Sequence, residues 1–345
     1  MTDKIILILT LFLLFPTIAY AQADSDLRDR VMEAALYASE VKTQSSQPSL
    51  RSFEAKQTQQ ERLSEEIKKY WLAKEKLDTK SSDGFNEKEE YLGEEGKGKF
   101  YLSGGYDINH MHYKEFSGST TLDEDYGNLK GFYGSLGYKS GRYFTWLWGR
   151  PFVEGYFRRY DALMTYDGGT SAGNAFSCEQ RAEVQRFGLK VGGYHSFSKE
   201  LEGLFYIDLG KRIWYRGENE VIQGVLCYAE KYWWLYLGIG GGFNYRLFSK
   251  LTCGAELEGM FALDSKMRAD LYEGGTFVLK GVSGWEVKLP VKYYFLHNLS
   301  LDLTPYFTWW NITKSDPVRI SGAYYYEPDS YTYIQGLLLG LTYSF

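Results

Sequence analysis

The chain has 345 residues, and its 39 Lys and Arg against 44 Asp and Glu give a formal net charge of -5, a balance that argues against a nucleic-acid partner. It holds 31 Tyr, 21 Phe, 9 Trp and 37 Gly but only 7 Pro, and its mean hydropathy of -0.38 is polar. Such a chain is typical of a transmembrane barrel, because every strand pairs a lipid-facing side with a wet side.

Residues 1–21 have the layout of a secretory signal peptide. Lys4 precedes an apolar run over 5–15, Pro16 breaks that run, and the small residues "AYA" come before Gln22. We expect cleavage after Ala21. The remaining chain has no further run of roughly 18 apolar residues, which a membrane-spanning helix would need. Any membrane insertion is therefore expected to occur through strands.

Residues 22–98 are rich in Gln, Glu, Lys and Ser and nearly free of aromatic residues. The stretches "SDLRDRVMEAALYASEV" and "LRSFEAKQTQQERLSEEIKKYWLAKEKL" place apolar residues at helical spacing. They predict a helical extension on the periplasmic side, followed by a charged linker. Residues 22–96 could dock a periplasmic protein partner, a neighbouring copy of the chain or the barrel's own lower rim, or they could be a disordered tether with helical tendency.

From residue 99 onward, stretches of alternating apolar and polar residues recur. They predict ten strands, near 99–112, 129–139, 142–160, 183–197, 201–216, 230–248, 251–263, 283–296, 299–312 and 334–345. The joins "KSGR", "FSKE", "FSK" and "LHN" are short, and they alternate with long loops near 113–128, 161–182, 217–229, 264–282 and 313–333. The predicted fold is an all-β transmembrane barrel of about ten antiparallel up-and-down strands over 99–345.

The final stretch, "LGLTYSF", is predicted to be the closing strand, paired with "KFYLSGGYDI". Its apolar side chains fall on one face: Leu337, Leu339, Leu341, Tyr343 and Phe345. With the signal peptide and the alternating strands, this pattern resembles the outer-membrane β-barrel proteins of Gram-negative bacteria. The resemblance implies a bacterial outer-membrane location among lipid and lipopolysaccharide, and recognition of the five residues by the barrel-assembly machinery.

Side chains alternate between the two faces of a strand, and this alternation predicts that many charged side chains point toward the lumen. The inward set is Asp107, Arg150, Glu154, Arg158, Arg186, Lys190, Asp208, Arg212, Arg216, Glu256, Glu258, Glu286, Lys288, Lys292 and Asp302. Interior side chains just fill an eight-stranded barrel, and ten strands enclose only slightly more space. Unpaired charges there would be costly, so acids and bases should pair. The sequence predicts a lumen plugged by a charge network.

No residue pattern assigns a catalytic, cofactor or metal site. The strand count is similar to that of the omptin proteases, but the fourth long loop offers Asp264 and Asp270 without a histidine. His110 and His112 share one outward face, where polar interfacial residues are a simpler interpretation than a metal site. The acidic run 123–125 could bind a divalent cation bridging lipopolysaccharide phosphates, but a solvated turn is the favoured interpretation.

Two further features concern the outer side. Cys178 and Cys227 lie at the ends of the second and third long loops and could form a disulfide, whereas Cys253 should face lipid. The last long loop carries a dense set of tyrosines, namely Tyr324, Tyr325, Tyr326, Tyr331 and Tyr333. They could form a binding surface, but an aromatic girdle at the membrane boundary is favoured.

These patterns predict a non-enzymatic barrel with a structural, anchoring or interaction role. One alternative is a small or gated porin-like channel, if the lumen charges line a continuous water path. A second is an enzyme with a site at the barrel rim, acting on lipid or peptide and depending on Asp107, Arg158, Arg212 and Glu286.

Overall fold

A computed structural model describes residues 98–145, 149–169, 173–271 and 274–345. The strands of the first half are β1 (Lys99–Ser117), β2 (Thr120–Lys139), β3 (Arg150–Gly169), β4 (Ala175–Ser196), β5 (Leu201–Arg216), β6 (Glu220–Ile222) and β7 (Val225–Cys227). Those of the second half are β8 (Glu230–Phe248), β9 (Leu251–Ala269), β10 (Gly275–Lys288), β11 (Val291–Leu296), β12 (Leu299–Ser315), β13 (Val318–Ile320), β14 (Ala323–Tyr325) and β15 (Asp329–Ser344). The signal peptide and the helical extension predicted from the sequence lie outside the described residues. Over those residues, helices of the length and apolarity needed to cross a membrane are absent.

Ten antiparallel strands close into a barrel. Neighbours in sequence pair in turn from β1 through β5, β8 and β9, and β15 pairs with both β12 and β1. β10 and β11 act as one barrel strand that is interrupted at Pro290, which has no N–H to donate to the ladder. Closure matters because it leaves no edge strand with unpaired peptide groups in lipid. The predicted barrel of about ten antiparallel strands is confirmed.

The closing seam joins β1 to β15 along their whole length. Leu102 lies opposite Tyr343, and Ile108 lies opposite Leu337. At the end of the seam the Phe100 N–H donates to the Phe345 carbonyl at 3.0 Å, and the Phe345 N–H donates to the Phe100 carbonyl at 2.9 Å. The backbone of Phe345 therefore takes part in the ladder.

The outer wall of the barrel is apolar at alternate positions. On β1, the side chains of Phe100, Leu102, Tyr106 and Ile108 are between 49% and 72% exposed. Apolar exposure of this kind on neighbouring strands is far more than a protein in water tolerates, and it is what a lipid-facing band requires.

An aromatic stack marks the outer boundary of this band. The Trp309 ring stacks on Tyr331 at a centroid distance of 4.6 Å, and Phe307 stacks on Tyr333 at 6.2 Å. Lys114 and Glu124 pair farther out along the strands, at 3.1 Å. The favoured interpretation of the tyrosine-rich segment as a girdle therefore applies to Tyr331 and Tyr333.

The strands are longer on the outer side than the sequence predicted. The expected loop 113–128 is instead a β-hairpin that turns at Gly118, where φ is 63°. β3 covers Arg150–Gly169 rather than 142–160, so the expected short join "KSGR" is part of a longer connection. Apolar alternation ends where the lipid ends, but backbone pairing continues beyond it. The sequence pattern therefore located the band and not the ends of the strands.

Two small hairpins extend the outer side further. β6 and β7 join through Gln223 and Gly224, with φ of 52° and 82°. β13 and β14 join through Ser321 and Gly322, with φ of 47° and 90°. Two-residue turns with two positive φ values match the right-handed twist of the strands they connect, and glycine adopts such a conformation without strain.

Candidate functional site in the barrel lumen

The charged side chains inside the barrel form three layers along its axis. We call the outermost layer the outer cluster: Glu115, Asp123, Asp125, Arg216, Glu230 and Glu327. We call the middle layer the central network: Asp107, Arg158, Arg186, Asp208, Glu258 and Glu286. The layer nearest the short joins surrounds a space that we call the inner cavity, of about 180 Å³.

Arg186 is the hub of the central network. Its guanidinium lies 3.0 Å from the Glu286 carboxylate, 3.1 Å from that of Glu258 and 3.4 Å from that of Asp208. Its Nε donates to the Tyr236 hydroxyl at 2.6 Å. One buried cation thus neutralises carboxylates from three different strands, which ties β4, β5, β9 and β10 together across the lumen.

Arg158 supplies the second cation of this network. Its Nε donates to Asp107, and its Nη1 lies 3.4 Å from Glu286. The Tyr306 hydroxyl donates to the other Asp107 oxygen at 2.8 Å, and the Arg158 guanidinium lies 3.8 Å from the Tyr306 ring centroid. Asp107 is wholly buried, so these partners compensate the loss of water around its charge.

An aromatic layer separates the central network from the outer cluster. The rings of Trp214 and Tyr232 stack at 4.7 Å, and Trp234 meets Trp310 edge to face at 5.2 Å. These four side chains are at most 1% exposed. Large rings at this depth leave little room for water along the barrel axis.

Arg212 lies within the aromatic layer and is 1% exposed. Among the described residues, none of its three guanidinium nitrogens has a hydrogen-bond partner. Its contacts are with the Trp234 and Trp310 rings, at 5.2 and 5.4 Å. Arg212 therefore differs from Arg158 and Arg186, since cation–π contacts replace the ion pairs.

The outer cluster gathers its acids around Arg216. The Arg216 guanidinium lies 3.0 Å from Glu115, 3.3 Å from Asp123 and 2.8 Å from Glu230, and its Nε donates to Asp125. Gln180 also donates to Asp125, at 2.6 Å. The cluster joins the outer ends of β1, β2, β5 and β8 above the aromatic layer.

Glu327 completes the outer cluster from the segment between β14 and β15. Its carboxyl accepts from the Tyr232 hydroxyl at 2.6 Å and from the Tyr113 hydroxyl at 3.3 Å. The segment is held in place by Ser315, whose hydroxyl accepts from the Glu327 N–H at 2.9 Å. The last outer hairpin is thereby attached to the outer cluster.

Three acids of the outer cluster, Glu115, Asp125 and Glu327, lie beyond the lipid band and have raised pKa values. Burial raises the pKa of Glu115 to about 8 and that of Asp125 to about 6, although Arg216 acts in the opposite direction on both. Burial, reinforced by Glu115 and Glu230, raises the pKa of Glu327 well above its usual range. Five acids share one arginine, so protonation relieves their mutual repulsion.

The inner cavity lies on the other side of the central network. Lys190 reaches Glu258 at 3.6 Å, Lys288 reaches Glu286 at 2.7 Å, and Lys292 reaches Asp302 at 3.6 Å. Closer to the short joins, Glu202 binds both Lys139 and Arg150, at 2.7 and 2.6 Å. Lysines and acids alternate around this cavity, so its lining is of mixed charge.

The structure places each charged residue predicted to face the lumen on the inner side of the barrel wall. Those it buries are Asp107, Arg158, Arg186, Lys190, Asp208, Arg212, Arg216, Glu258, Glu286 and Asp302. Those it leaves half-buried are Arg150, Glu154, Glu256, Lys288 and Lys292. Glu154 and Glu256 line the inner cavity. The four residues named for a rim enzyme, Asp107, Arg158, Arg212 and Glu286, lie deep in the lumen rather than at the rim.

Sequence reasoning missed most acids of the outer cluster. Glu115, Asp123 and Asp125 were expected in a loop, and a solvated acidic turn is wrong for Asp125, which is 1% exposed. Glu124 alone of the acidic run points outward, where it binds His112 and Lys114. The available signal was parity: Glu115 continues the inward alternation of Asp107, Asn109, Met111 and Tyr113 along β1.

His110 and His112 make separate contacts. His110 bonds to Asn128 at 3.1 Å, whereas His112 bonds to the Tyr333 hydroxyl at 2.7 Å and to Glu124 at 2.9 Å. Within the described ranges, no cluster of three or more His, Cys, Asp or Glu side chains is arranged to hold a metal ion.

Solved structures of three other proteins are similar to this chain at low sequence identity. The outer membrane protease OmpT from Escherichia coli is 10% identical over 72% of this chain and 96% of that chain, with a TM-score of 0.45. Neisserial surface protein A is 11% identical over 71% and 97%, with a TM-score of 0.29. The Pseudomonas putida toluene transporter TodX is 10% identical over 74% and 90%, also with a TM-score of 0.29. No protein-family model and no curated protein matches the chain.

Those proteins have different roles, and at such low identities and TM-scores none of their roles passes to this chain. Its own closed barrel, apolar outer band and aromatic boundary are features of the outer-membrane class. The chain folds as a closed β-barrel with a lipid-facing outer band, and the bacterial outer membrane is the location that this architecture indicates.

Proposed function

We propose that this protein is a non-enzymatic outer-membrane barrel whose lumen is closed to diffusion. Its work is structural: it anchors an N-terminal extension on the periplasmic side and presents hairpins outside, as a scaffold or adhesive surface. The observation that carries this proposal is the complete burial of the aromatic layer between two charge networks. A pore would need water along the same axis.

Planar-bilayer recording tests the closed lumen. The purified wild-type protein should add no conductance steps, because the Trp214–Tyr232 and Trp234–Trp310 pairs cross the path. Replacing Trp214 and Trp234 by alanine should produce steps, provided that the variant still shows a β-type far-ultraviolet spectrum. Steady conductance through the wild-type protein would contradict the proposal.

A small or gated channel is the second candidate. It is favoured by the inner cavity, whose volume of about 180 Å³ and charged lining suit water and ions. For this candidate the outer cluster and aromatic layer would be the gate. Conductance that depends on voltage or pH in the wild-type protein would support it.

The surroundings of the barrel follow from the same proposal. Lipid and lipopolysaccharide contact the outer wall, and the barrel-assembly machinery reads the strand that ends in Phe345. Residues 22–96 bind a periplasmic protein partner. Cross-linking in cells should give an adduct with the full-length protein and none with a variant lacking 22–96, while both fold into heat-modifiable barrels. An unchanged adduct would refute the role given to this segment.

A further inference from the structure

Cys178 and Cys227 come together on the outer side of the barrel. Cys178 lies near the start of β4, opposite Tyr166, and Cys227 ends β7, opposite Glu220. Both side chains are half-buried free thiols. Burial, reinforced by the neighbouring Cys227 thiol, raises the pKa of the Cys178 thiol, although the two residues belong to different hairpins.

The backbone brings the same two segments together independently of the thiols. The Gly217 N–H donates to the Arg181 carbonyl at 2.8 Å. A Cβ on Gly217 would lie 3.1 Å from both the Gln180 side-chain oxygen and the Tyr228 carbonyl. Residues close in sequence to each cysteine therefore converge at Gly217, which fixes the two chain segments beside one another.

We propose that Cys178 and Cys227 form an intramolecular disulfide that clasps the β6–β7 hairpin to β4 above the outer cluster. An exported chain meets an oxidising compartment, where such bonds form and persist. This inference rests on the proposed function in one respect. The bond would hold the outer cluster in place, and the proposed function requires that cluster to help close the lumen.

The oxidant is a small or protein disulfide. One cysteine thiolate attacks it, which forms a mixed disulfide and releases one oxidant thiol. The second cysteine thiolate attacks the mixed disulfide at the sulfur of the first, which forms the Cys178–Cys227 bond and releases the second oxidant thiol. Two electrons pass from the cysteines to the oxidant, and the two thiol protons end on the released thiols.

The bond would restrain the outer cluster through both of the segments that it joins. Cys178 is two residues from Gln180, which donates to Asp125. Cys227 is three residues from Glu230, which binds Arg216 at 2.8 Å. A covalent link between these segments holds Gln180, the partner of Asp125, and Glu230, the partner of Arg216, at a fixed separation. It also prevents the β6–β7 hairpin from lifting away.

The number of free thiols tests the inference. Full-length protein from the outer membrane is denatured with an alkylating reagent, without reductant, and its intact mass is measured. Because the sequence has 3 cysteines, the wild-type protein should take one alkyl group, at Cys253, and three after reduction. Cys178→Ser and Cys227→Ser should each take two without reduction. Cys253→Ser, the matched control, should take none until reduced.

Three alkyl groups on the unreduced wild-type protein would overturn the proposal. So would a bond mapped to Cys253 or to a second chain. The thiol count is independent of the conductance measurement. Free thiols in a protein that does not conduct would refute the disulfide and leave the proposed function intact. A disulfide in a protein that conducts would support the disulfide and refute the proposed function.

Discussion

Arg186 and Arg212 are both buried in the lumen, but their surroundings are opposite. Arg186 binds Glu286, Glu258 and Asp208, so Arg186→Met would leave three carboxylates without their shared cation. Removing one partner of such a buried network costs about 3–5 kcal/mol. Arg212→Met, by contrast, removes a cation without hydrogen-bond partners and keeps an apolar chain among the rings. We expect unfolding in urea, followed by tryptophan fluorescence, to show a large loss for Arg186→Met and none for Arg212→Met. Equal losses would contradict this difference.

Acid should stabilise the outer cluster. Glu115 has a pKa of about 8 in the folded protein against 4.5 for the ordinary group. The folded state therefore binds this proton more tightly than the unfolded chain, and the resulting stabilisation is complete below pH 4.5. It is lost as the pH rises through about 8. Glu327 acts in the same direction, because burial raises its pKa well above the usual range.

Proteolysis of the outer hairpins checks this pH dependence. Cleavage by a protease of broad pH range, normalised to an unstructured peptide, should quicken between about pH 4.5 and pH 8. Glu327→Gln keeps the tyrosine hydrogen bonds without a titrating proton and should reduce the change. The control is Glu124→Gln, which lies outside the lumen and should behave as the wild-type protein. Cleavage that becomes faster as the pH falls would contradict the predicted direction of the pH dependence.

Individual lumen residues were predictable where a strand was recognised. Arg186 and Glu258 follow from parity, because alternation fixes the face of every residue once one is known. Their partners did not follow, since register across strands is not visible in one sequence. Arg212 shows the limit: parity turned it inward, but nothing in the sequence indicated that it would be left without an acid.

Gly240 in β8 makes room for an aromatic ring on the neighbouring strand β5. A Cβ on Gly240 would lie 2.3 Å from the Tyr206 ring. Gly240→Ala should therefore displace that ring from the lumen wall, at a cost of about 1–3 kcal/mol. Gly259→Ala in β9 is the matched control, because no atom lies within 4 Å of its added Cβ. Urea unfolding should separate the two variants, and equal stability would contradict this account of β8.

The closing strand offers a second prediction for a single element. Deleting Phe345 removes two hydrogen bonds to Phe100, worth about 1 kcal/mol each, together with the stack of the two rings at 5.9 Å. The fraction of protein that migrates as a heat-modifiable barrel should fall. The control is Leu163→Ala, an outward-facing change in β3 remote from the seam, which should leave that fraction unchanged. If deletion of Phe345 also left the fraction unchanged, the role of the seam would be contradicted.

The elements show why the prediction of the barrel was better than that of its loops. Strands such as β5 (Leu201–Arg216) were found to the residue, because polar turns border an apolar band at both ends. β2 begins at Thr120 instead of near 129, because its outer part pairs in the aqueous phase, where an acidic run alternates around Arg216 without any apolar signal. Turn chemistry at Gln223-Gly224 and Ser321-Gly322 was the one local cue to the outer hairpins.

At the scale of the whole molecule, closure and filling depend on each other. Ten strands enclose a lumen that side chains can fill, and the central network then links strands that are not neighbours in the sheet. The ten strands bring the start of β1 and the end of β15 to the same side of the barrel, which lets the seam form. The side chains in the lumen and the strands of the closed barrel are therefore expected to lose their structure in one cooperative transition.

The seam between β1 and β15 is the most direct test of this architecture. In a background without native cysteines, Tyr106→Cys and Leu339→Cys, which lie opposite one another in the ladder, are treated in isolated outer membranes with a short bifunctional thiol reagent. The account predicts an intramolecular cross-link at high yield, and none for Tyr106→Cys with Leu257→Cys on β9. Absence of the first cross-link in folded, membrane-bound protein would show that the barrel does not close as described.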